Sequence, residues 1–460
     1  MLEILDSTLR EGEQTPHVNF TVDEKVEIAK MLDRVGVDMI EAGDPSVSSN
    51  VARAIERIAS LGLRAEVVAH SIASRSGIDR VRACGADRVG IFYATSRIHL
   101  DSKLHKTPAQ ALEIIREHVC YAKGLGLKVR YTPEDATRTD FDYLVEVCNT
   151  AIDAGADRIS FADTLGILQP HVAFERVRAL RQKLLPCKID LHCHNDYGLA
   201  LANAMAGMRA GADCIHTTVN GLGERVGIPD LAETVLSFHN LEGVEKFNIQ
   251  PLMEISSYLE RVSGFLLAPN KPITGQNAFS HKSGIHTNGV LKDPRTYEPF
   301  DPSILGRERR IIIDKYTGRT AVAARLDEYG IRVSAAELEV IVTRIKNVGD
   351  QRKQLFDADI LEIAEQVTGR EIDVIPHDIS AIVMLEVESH VYTSSVVRRL
   401  RGFTNVSSVY EVTGDHDISA FVNVENVAAL NNLIEEIRTV QGVKRTETRM
   451  VLKKYTGNGK

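Results

Sequence analysis

Apolar positions along the first half of the chain fall into two alternating periods. Segments such as "TVDEKVEIAKMLDRV" space them three and four apart, as one face of a helix requires. Between such segments a short phrase recurs, in which a glycine ends the helical pattern and a brief apolar run follows. It reads "GVDMIEAGD" at 36, "GADRVGIFY" at 85, "GADRISFAD" at 155 and "GADCIHTTVNG" at 211. "LGLRAEVVAH" at 61, "LGLKVRYTPED" at 125 and "LPCKIDLHCHND" at 185 play the same part, and "LEILDSTLR" opens the chain as a strand. Glycine at a helix end followed by an apolar run is the αβ junction of a parallel sheet. Eight such strands over roughly 250 residues predict an α/β fold, a TIM (β/α)8 barrel, over residues 1–270. No GxGxxG follows the first strand, which removes the main sign of a dinucleotide-binding sheet.

The pattern then changes twice. Residues 271–370 are mostly helical in spacing, as in "KYTGRTAVAARLDEYG" and "DADILEIAEQVTG", and read as a linker region. After "EIDVIPHD" the strand-like runs "ISAIVMLEVE", "VSSVYEVTG", "ISAFVNVE" and "VKRTETRMVLKKY" alternate with the helical "SSVVRRLRG" and "VAALNNLIEEIRTV". The order βαββαβ predicts an α+β ferredoxin-like domain over 374–460.

Composition narrows the partners. A formal charge of −8 argues against a nucleic-acid partner held by its backbone, and no basic helix-turn-helix is present. No apolar run approaches a membrane span, and "MLEILDSTLR" lacks a signal peptide's layout, so a cytoplasmic protein is expected. The six cysteines form no CxxC pair and are expected to be reduced and buried, with Cys193 packing rather than ligating.

A barrel of this kind keeps its chemistry at the C-terminal ends of its strands. Those positions carry Asp6, Arg10, Glu11, Glu41, Asp44, His70, Arg130, Thr132, Glu134, Asp163, Thr164, His192, His194, Asn195 and Asn220. In "LHCHND", His192 and His194 are two apart and project from one strand face. They are either a pair sharing a metal or charged ligand, or ordinary polar residues at a strand end. Two neutral imidazoles on a divalent cation still need an oxygen ligand, and Glu11 is the best protein candidate.

"DSTLREGEQTP", "HCHND", "NGLGERVGIPDL", "YTPEDATRTD", "FADTLG" and "FSHKSGIHTNGV" together resemble the metal-dependent Claisen-condensing enzymes of the isopropylmalate, citramalate and homocitrate synthase family. The likeness runs from residue 2 to about residue 370. It implies a divalent metal (Mg, Mn or Zn) on Glu11, His192 and His194, and acetyl-CoA condensing with a 2-oxo acid. It further implies that Arg10 meets the developing negative charge and that Asp6 and Gln14 orient the metal shell. Thr132 and Thr164 would hold the oxo acid, with Asn220 near the metal. Glu134, His286 and Tyr297 match the family's proton-handling group, and His281 is read as structural. The glycine-rich "NGLGERVG" is either a backbone approach to the acyl-CoA or simply a tight loop.

Pocket chemistry bears on the oxo acid. Arg130 and His70 suit the second carboxylate of 2-oxoglutarate, Arg130 through a bidentate fork, with Glu41 orienting them. Arg130 is otherwise a salt bridge to Glu134 or Glu41. The expected product is therefore homocitrate, at the entry to lysine made through α-aminoadipate. The alternative is an isopropylmalate or citramalate product from 2-oxoisovalerate or pyruvate.

The tail, with "VYEVTGDHDI" and "GVKRTETRMVL", resembles the amino-acid-sensing domain of Lrp/AsnC-type regulators. This implies a homodimer or larger assembly, with a small amino acid near Gly414, Asp415 and Asp417, or else a dimerisation module that senses nothing. Lysine is the expected inhibitor. Asp190, two residues before the first metal histidine, matches an acid that holds the ammonium of competing lysine in homocitrate synthases. A barrel lyase and a transcriptional regulator are the rival readings; lyases lack "HKSGIH" and this C-terminal extension.

Overall fold

The computed structural model describes residues 2–351, 355–372, 379–403, 405–424 and 427–451. Eight parallel strands close into a barrel in sequence order: β1 Glu3–Asp6, β2 Met39–Glu41, β3 Glu66–Ile72, β4 Arg88–Ala94, β5 Lys128–Glu134, β6 Arg158–Asp163, β7 Lys188–Cys193 and β8 Cys214–Thr217. β8 closes on β1, with Glu3 opposite Cys214 and Asp6 opposite Thr217. The strands are buried on both faces, as a barrel wrapped in helices demands.

The recurring phrase now has a physical account. Gly36, Gly85, Gly155 and Gly211 have φ of +88°, +73°, +113° and +107°, the left-handed region that side chains disfavour. The aspartate two residues on does separate work. Asp38, Asp87 and Asp213 accept the backbone N–H of Ile4, Val67 and Ile189 at 2.9, 2.9 and 2.8 Å. Each ties the start of one strand to the start of the preceding one, at the end of the barrel remote from the chemistry.

The chain forms two compact units, and neither is a single run of sequence. The barrel unit runs to Ala278 and takes in Pro302–Glu308 as well. Arg307 fixes that returning segment, donating to the carbonyls of Ile273 and Gly275 at 3.1 and 2.7 Å. The second unit holds Phe279–Asp301 and everything from Arg309 on. It contains the short parallel pair β9 Ser280–His281 and β10 Arg310–Ile311. Helices Arg319–Glu328, Ala335–Gln351 and Asp357–Thr368 pack around Val322, Leu326, Ile341, Ile345 and Ile360.

Its last part is the expected βαββαβ: β11 Ile379–Val387, β12 Val406–Glu411, β13 Ile418–Val424 and β14 Val443–Met450, in the order β12-β13-β11-β14. Ala381, Val383, Leu385, Ile418, Ala420 and Val422 alternate onto one face, covered by Val396 and Leu400 of one helix and Leu433 and Ile437 of another. The expected boundary at 374 and the residues after 451 lie outside the described residues.

No helix among the described residues is long and apolar enough to cross a membrane. All six cysteines are unpaired, but the expectation of burial holds for only four of them. Cys120 is exposed on the outer side of helix Pro108–Gly124, and Cys187 is half-buried before β7.

Candidate metal and substrate site

A cavity of about 610 Å³ opens at the C-terminal ends of the strands. Arg10, Glu11, Gln14, His70, Arg130, Thr132, Glu134, Thr164, His192 and His194 line it, while Glu41 stands behind the wall.

Glu11, His192 and His194 converge, each offering a ligand atom within 4.8 Å of the others. His192 Nε2 lies 3.8 Å from Glu11 Oε2, and the two imidazoles meet edge to face at 5.1 Å. Burial is the main force holding both histidines below the usual imidazole pKa, so both are neutral, the form that ligates. His194 Nδ1 is buried with no hydrogen-bond partner among the described residues. Two imidazoles and one carboxylate, with a ring nitrogen of His194 left unpartnered, fit a divalent cation with positions left for substrate oxygens.

Glu11 is held from two sides. Arg10 Nη1 donates to Oε2, and the Glu224 N–H donates to Oε1 at 2.9 Å. The glycine-rich loop is what allows this approach. A Cβ added at Gly223 would stand 3.0 Å from Glu11 Oε1, and one at Gly227 would stand 1.8 Å from the Gly221 carbonyl oxygen. "NGLGERVG" is a tight loop that braces Glu11.

Glu41 is the hub of the other half of the cavity. It accepts from Arg10 Nε at 2.7 Å, from Ser7 Oγ and from Arg130 Nη2, with His70 Nδ1 at 3.3 Å. Burial alone would raise its pKa, but Arg10, Arg130 and His70 outweigh burial and hold it well below the carboxylate range. Arg130 therefore does bridge to Glu41, through one nitrogen only. Its Nε and Nη1 are buried without partners among the described residues, as are Thr132 Oγ1 and Ser160 Oγ beside it in the wall. His70 stacks on Phe92 at 4.6 Å, which fixes the imidazole at the pocket edge.

Other predicted residues are placed as follows. Gln14 Oε1 accepts from Arg10 at 3.2 Å, and Thr164 Oγ1 accepts from the Asp135 N–H at 2.9 Å. Asp6 accepts from the Thr8 N–H and Thr217 Oγ1, and burial pushes its carboxyl up to about 7. Asn220 turns away from the cavity, its amide committed to Ser256. Glu134 accepts both its hydrogen bonds from Lys103, at 2.7 and 2.9 Å. In the second unit, His281 pairs with Glu298 at 3.0 Å, and the rings of His286 and Tyr297 stack at 4.0 Å.

Asp190 does not line the cavity. It lies one layer down, where Arg158 takes both its oxygens and holds its pKa low against the opposing effect of burial. An incoming ammonium would have to displace that guanidinium. In the C-terminal domain, Gly414 (φ +122°) and Asp415 are exposed in the turn before β13. Asp417 accepts the Val387 N–H at 2.7 Å and so closes that turn onto β11.

Sequence reasoning missed Lys103, Ser160 and His216. Ser160 and His216 carried a usable signal, since alternation along β6 and β8 turns both inward with residues already chosen. Lys103 carried none, because an exposed lysine in a short helical turn is ordinary until the fold brings it to Glu134.

An HMGL-like family model matches residues 1–259, and a homocitrate synthase post-HMGL domain-like model matches 273–353. An Lrp/AsnC ligand binding domain model matches 380–459. The homocitrate synthases of Sulfurisphaera tokodaii and Saccharolobus solfataricus are 48% and 47% identical over 456 residues, spanning 98% of this chain and 99% of each relative. HMG-CoA lyases of Pseudomonas aeruginosa and Brucella melitensis superpose with TM-scores of 0.52 and 0.51 at 19% identity. They cover 57% of this chain, and 93% and 99% of theirs, a likeness of barrel fold.

Proposed function

We infer the reaction from kinship: the chain belongs to the HMGL-like family and stands with its homocitrate synthases over almost its whole length. It joins the acetyl group of acetyl-CoA to 2-oxoglutarate and, with water, releases homocitrate and CoA.

The observation that carries this choice is the set of orphaned donors around Arg130. A buried hydrogen bond to a charged group is worth about 1.5–3 kcal/mol, and a branched apolar side chain would leave these donors unmet. A distal carboxylate satisfies them. Arg10 and Arg130 present guanidinium groups at this wall, the charge that the carboxylates of a dianionic oxo acid require.

A bound divalent cation supplies Lewis acidity at the 2-oxo carbon. Arg10, placed between Glu11 and Glu41, offers its guanidinium where negative charge grows on the attacked oxygen. Arg130 and His70 anchor the far carboxylate and so fix the carbonyl's orientation. Glu134 takes a proton from the acetyl methyl, for which the Lys103 ammonium has to move off its oxygens. His286 and Tyr297, stacked together in the second unit, match the family's proton-handling motif.

The C-terminal match supports an amino-acid effector. We assign lysine to that role, held between paired domains of a homodimer beside Gly414, Asp415 and Asp417. The unpaired cysteines support the cytoplasm as the compartment.

Thiol release from acetyl-CoA with a divalent metal tests the assignment, comparing 2-oxoglutarate, 2-oxoisovalerate and pyruvate, each with and without lysine. Release with 2-oxoglutarate alone, suppressed by lysine, is the expected result. Preference for either other acid would remove Arg130 and His70 from the specificity role.

A further inference from the structure

Beneath the metal ligands runs a line of buried polar groups that the reaction above does not use. His192 Nδ1 faces His216 Nδ1 at 3.1 Å, and the rings meet edge to face at 5.3 Å. On its other side His216 Nε2 lies 3.5 Å from Asp190 Oδ2. Asp190 receives Arg158 Nε and Nη2 at 3.0 and 2.8 Å, and Arg158 also reaches Glu3 at 2.7 Å. His216 and Asp190 are 1% and 0% exposed, so both are shielded from bulk solvent.

Asp190, Cys214 and His216 also bring ligand atoms within 4.8 Å of one another, which invites a second metal centre. Arg158 argues against it. Its guanidinium already occupies the Asp190 carboxylate, and a cation there would meet that charge in a poorly screened interior. The line is better understood as a chain of polar contacts with a direction, in which the link from His216 to Asp190 is electrostatic and not a formed hydrogen bond.

The direction follows from the end that has no choice. Asp190 is ionised against Arg158, and a bare lone pair on His216 Nε2 would face that carboxylate charge at 3.5 Å, so the His216 proton sits on Nε2. Nδ1 of His216 is then an acceptor, and the group facing it, His192 Nδ1, must be the donor. That leaves the lone pair of His192 on Nε2, the nitrogen turned toward Glu11. The hydrogen bond at one imidazole nitrogen thereby decides what the other can ligate.

We propose that His216 is a positioning residue that fixes His192 as its Nδ1–H tautomer and aims Nε2 at the divalent cation, with the Asp190–Arg158 pair as anchor. The proposal rests on Glu11, His192 and His194 being the metal ligands, and the test separates the two. The probe is Co(II) alone, titrated into the full chain and followed by its visible absorption. His194→Ala should lose Co(II) binding; if it binds as the unaltered protein does, the metal site itself is overturned. His216→Leu, which offers no acceptor, should bind Co(II) about 10–100-fold more weakly with an altered spectrum. His216→Asn, whose carbonyl oxygen can still accept, should recover most of that loss. Equal affinity in His216→Leu and the unaltered protein overturns the relay while leaving the metal site intact. Should His216→Leu not fold, nitrogen-15 NMR of the histidine-labelled, metal-free protein decides, with His192 assigned by its own substitution. A proton on His192 Nδ1 supports the proposal, and one on Nε2 overturns it.

Discussion

Arg130 and Arg158 sit side by side, paired in register between β5 and β6, and both are buried. Arg158 turns toward the barrel floor, where it meets Asp190 and Glu3. Nearby on the floor, Arg88 is bridged by Glu66 and Asp157, and Lys188 by Glu3. Arg130 turns toward the mouth, where one nitrogen reaches Glu41 and two have no partner among the described residues. The same residue type, at the same depth, is satisfied at one end and left short at the other. Charges that complete each other hold a fold together, and charges left incomplete await something that is not protein.

The sharpest way to break this comparison is at the metal ligands. His194→Ala should lower kcat/KM by about three orders of magnitude, since a Lewis-acid cation supplies several kcal/mol. Its circular dichroism and melting temperature without metal should stay close to the unaltered protein's. Unfolding would show that the mouth, too, is needed for the fold.

Next comes the floor. Arg158→Ala leaves Asp190 buried and uncompensated, at a cost of about 3–5 kcal/mol in stability by urea denaturation. A loss below about 1 kcal/mol would mean that water reaches the floor and the distinction is one of degree.

Arg130→Gln should act in the opposite sense. We expect KM for 2-oxoglutarate to rise about 10–100-fold, as for a lost charge-assisted contact, with a small change in stability. A fall in kcat with KM unchanged would place Arg130 at the reacting carbon instead of the far carboxylate.

The smallest effect concerns protons, because one carboxyl acts against a background of 63 acidic residues. Burial raises Asp6 to about 7 in the fold, against about 3.9 unfolded. Between those values the folded chain binds the extra proton, so this contribution is full below about pH 4 and disappears as pH rises through 7. Glu41, held low, behaves oppositely and loses its contribution only on strong acidification. The melting temperature of metal-free protein should therefore fall between pH 5 and 7 by more than in Asp6→Asn. Identical slopes would exclude Asp6 as the source.

The barrel was legible because its signal is repeated. A buried apolar run recurs at every junction and a glycine of positive φ at every one but that before β7, and each is a local requirement written in local sequence. The βαββαβ tail was legible for the same reason. Among site residues, Glu11, His192 and His194 could be proposed because strand alternation and strand order put them at one mouth.

What the sequence could not contain is pairing across the barrel. The chain offered both Glu134 and Glu41 as partners for Arg130, but nothing in it chose Glu41, 89 positions away, or said that one nitrogen would be taken and the others left. Nothing near Asp190 says that Arg158 occupies it, or near Glu134 that Lys103 does. The chain by itself determined which residues reach the interior, since burial follows from a pattern of neighbours. Which buried charges neutralise each other, and which stay open for a substrate, was decided by tertiary structure alone. A Coulomb or hydrogen-bond partner is chosen by distance in space, and only closure of the barrel sets that distance.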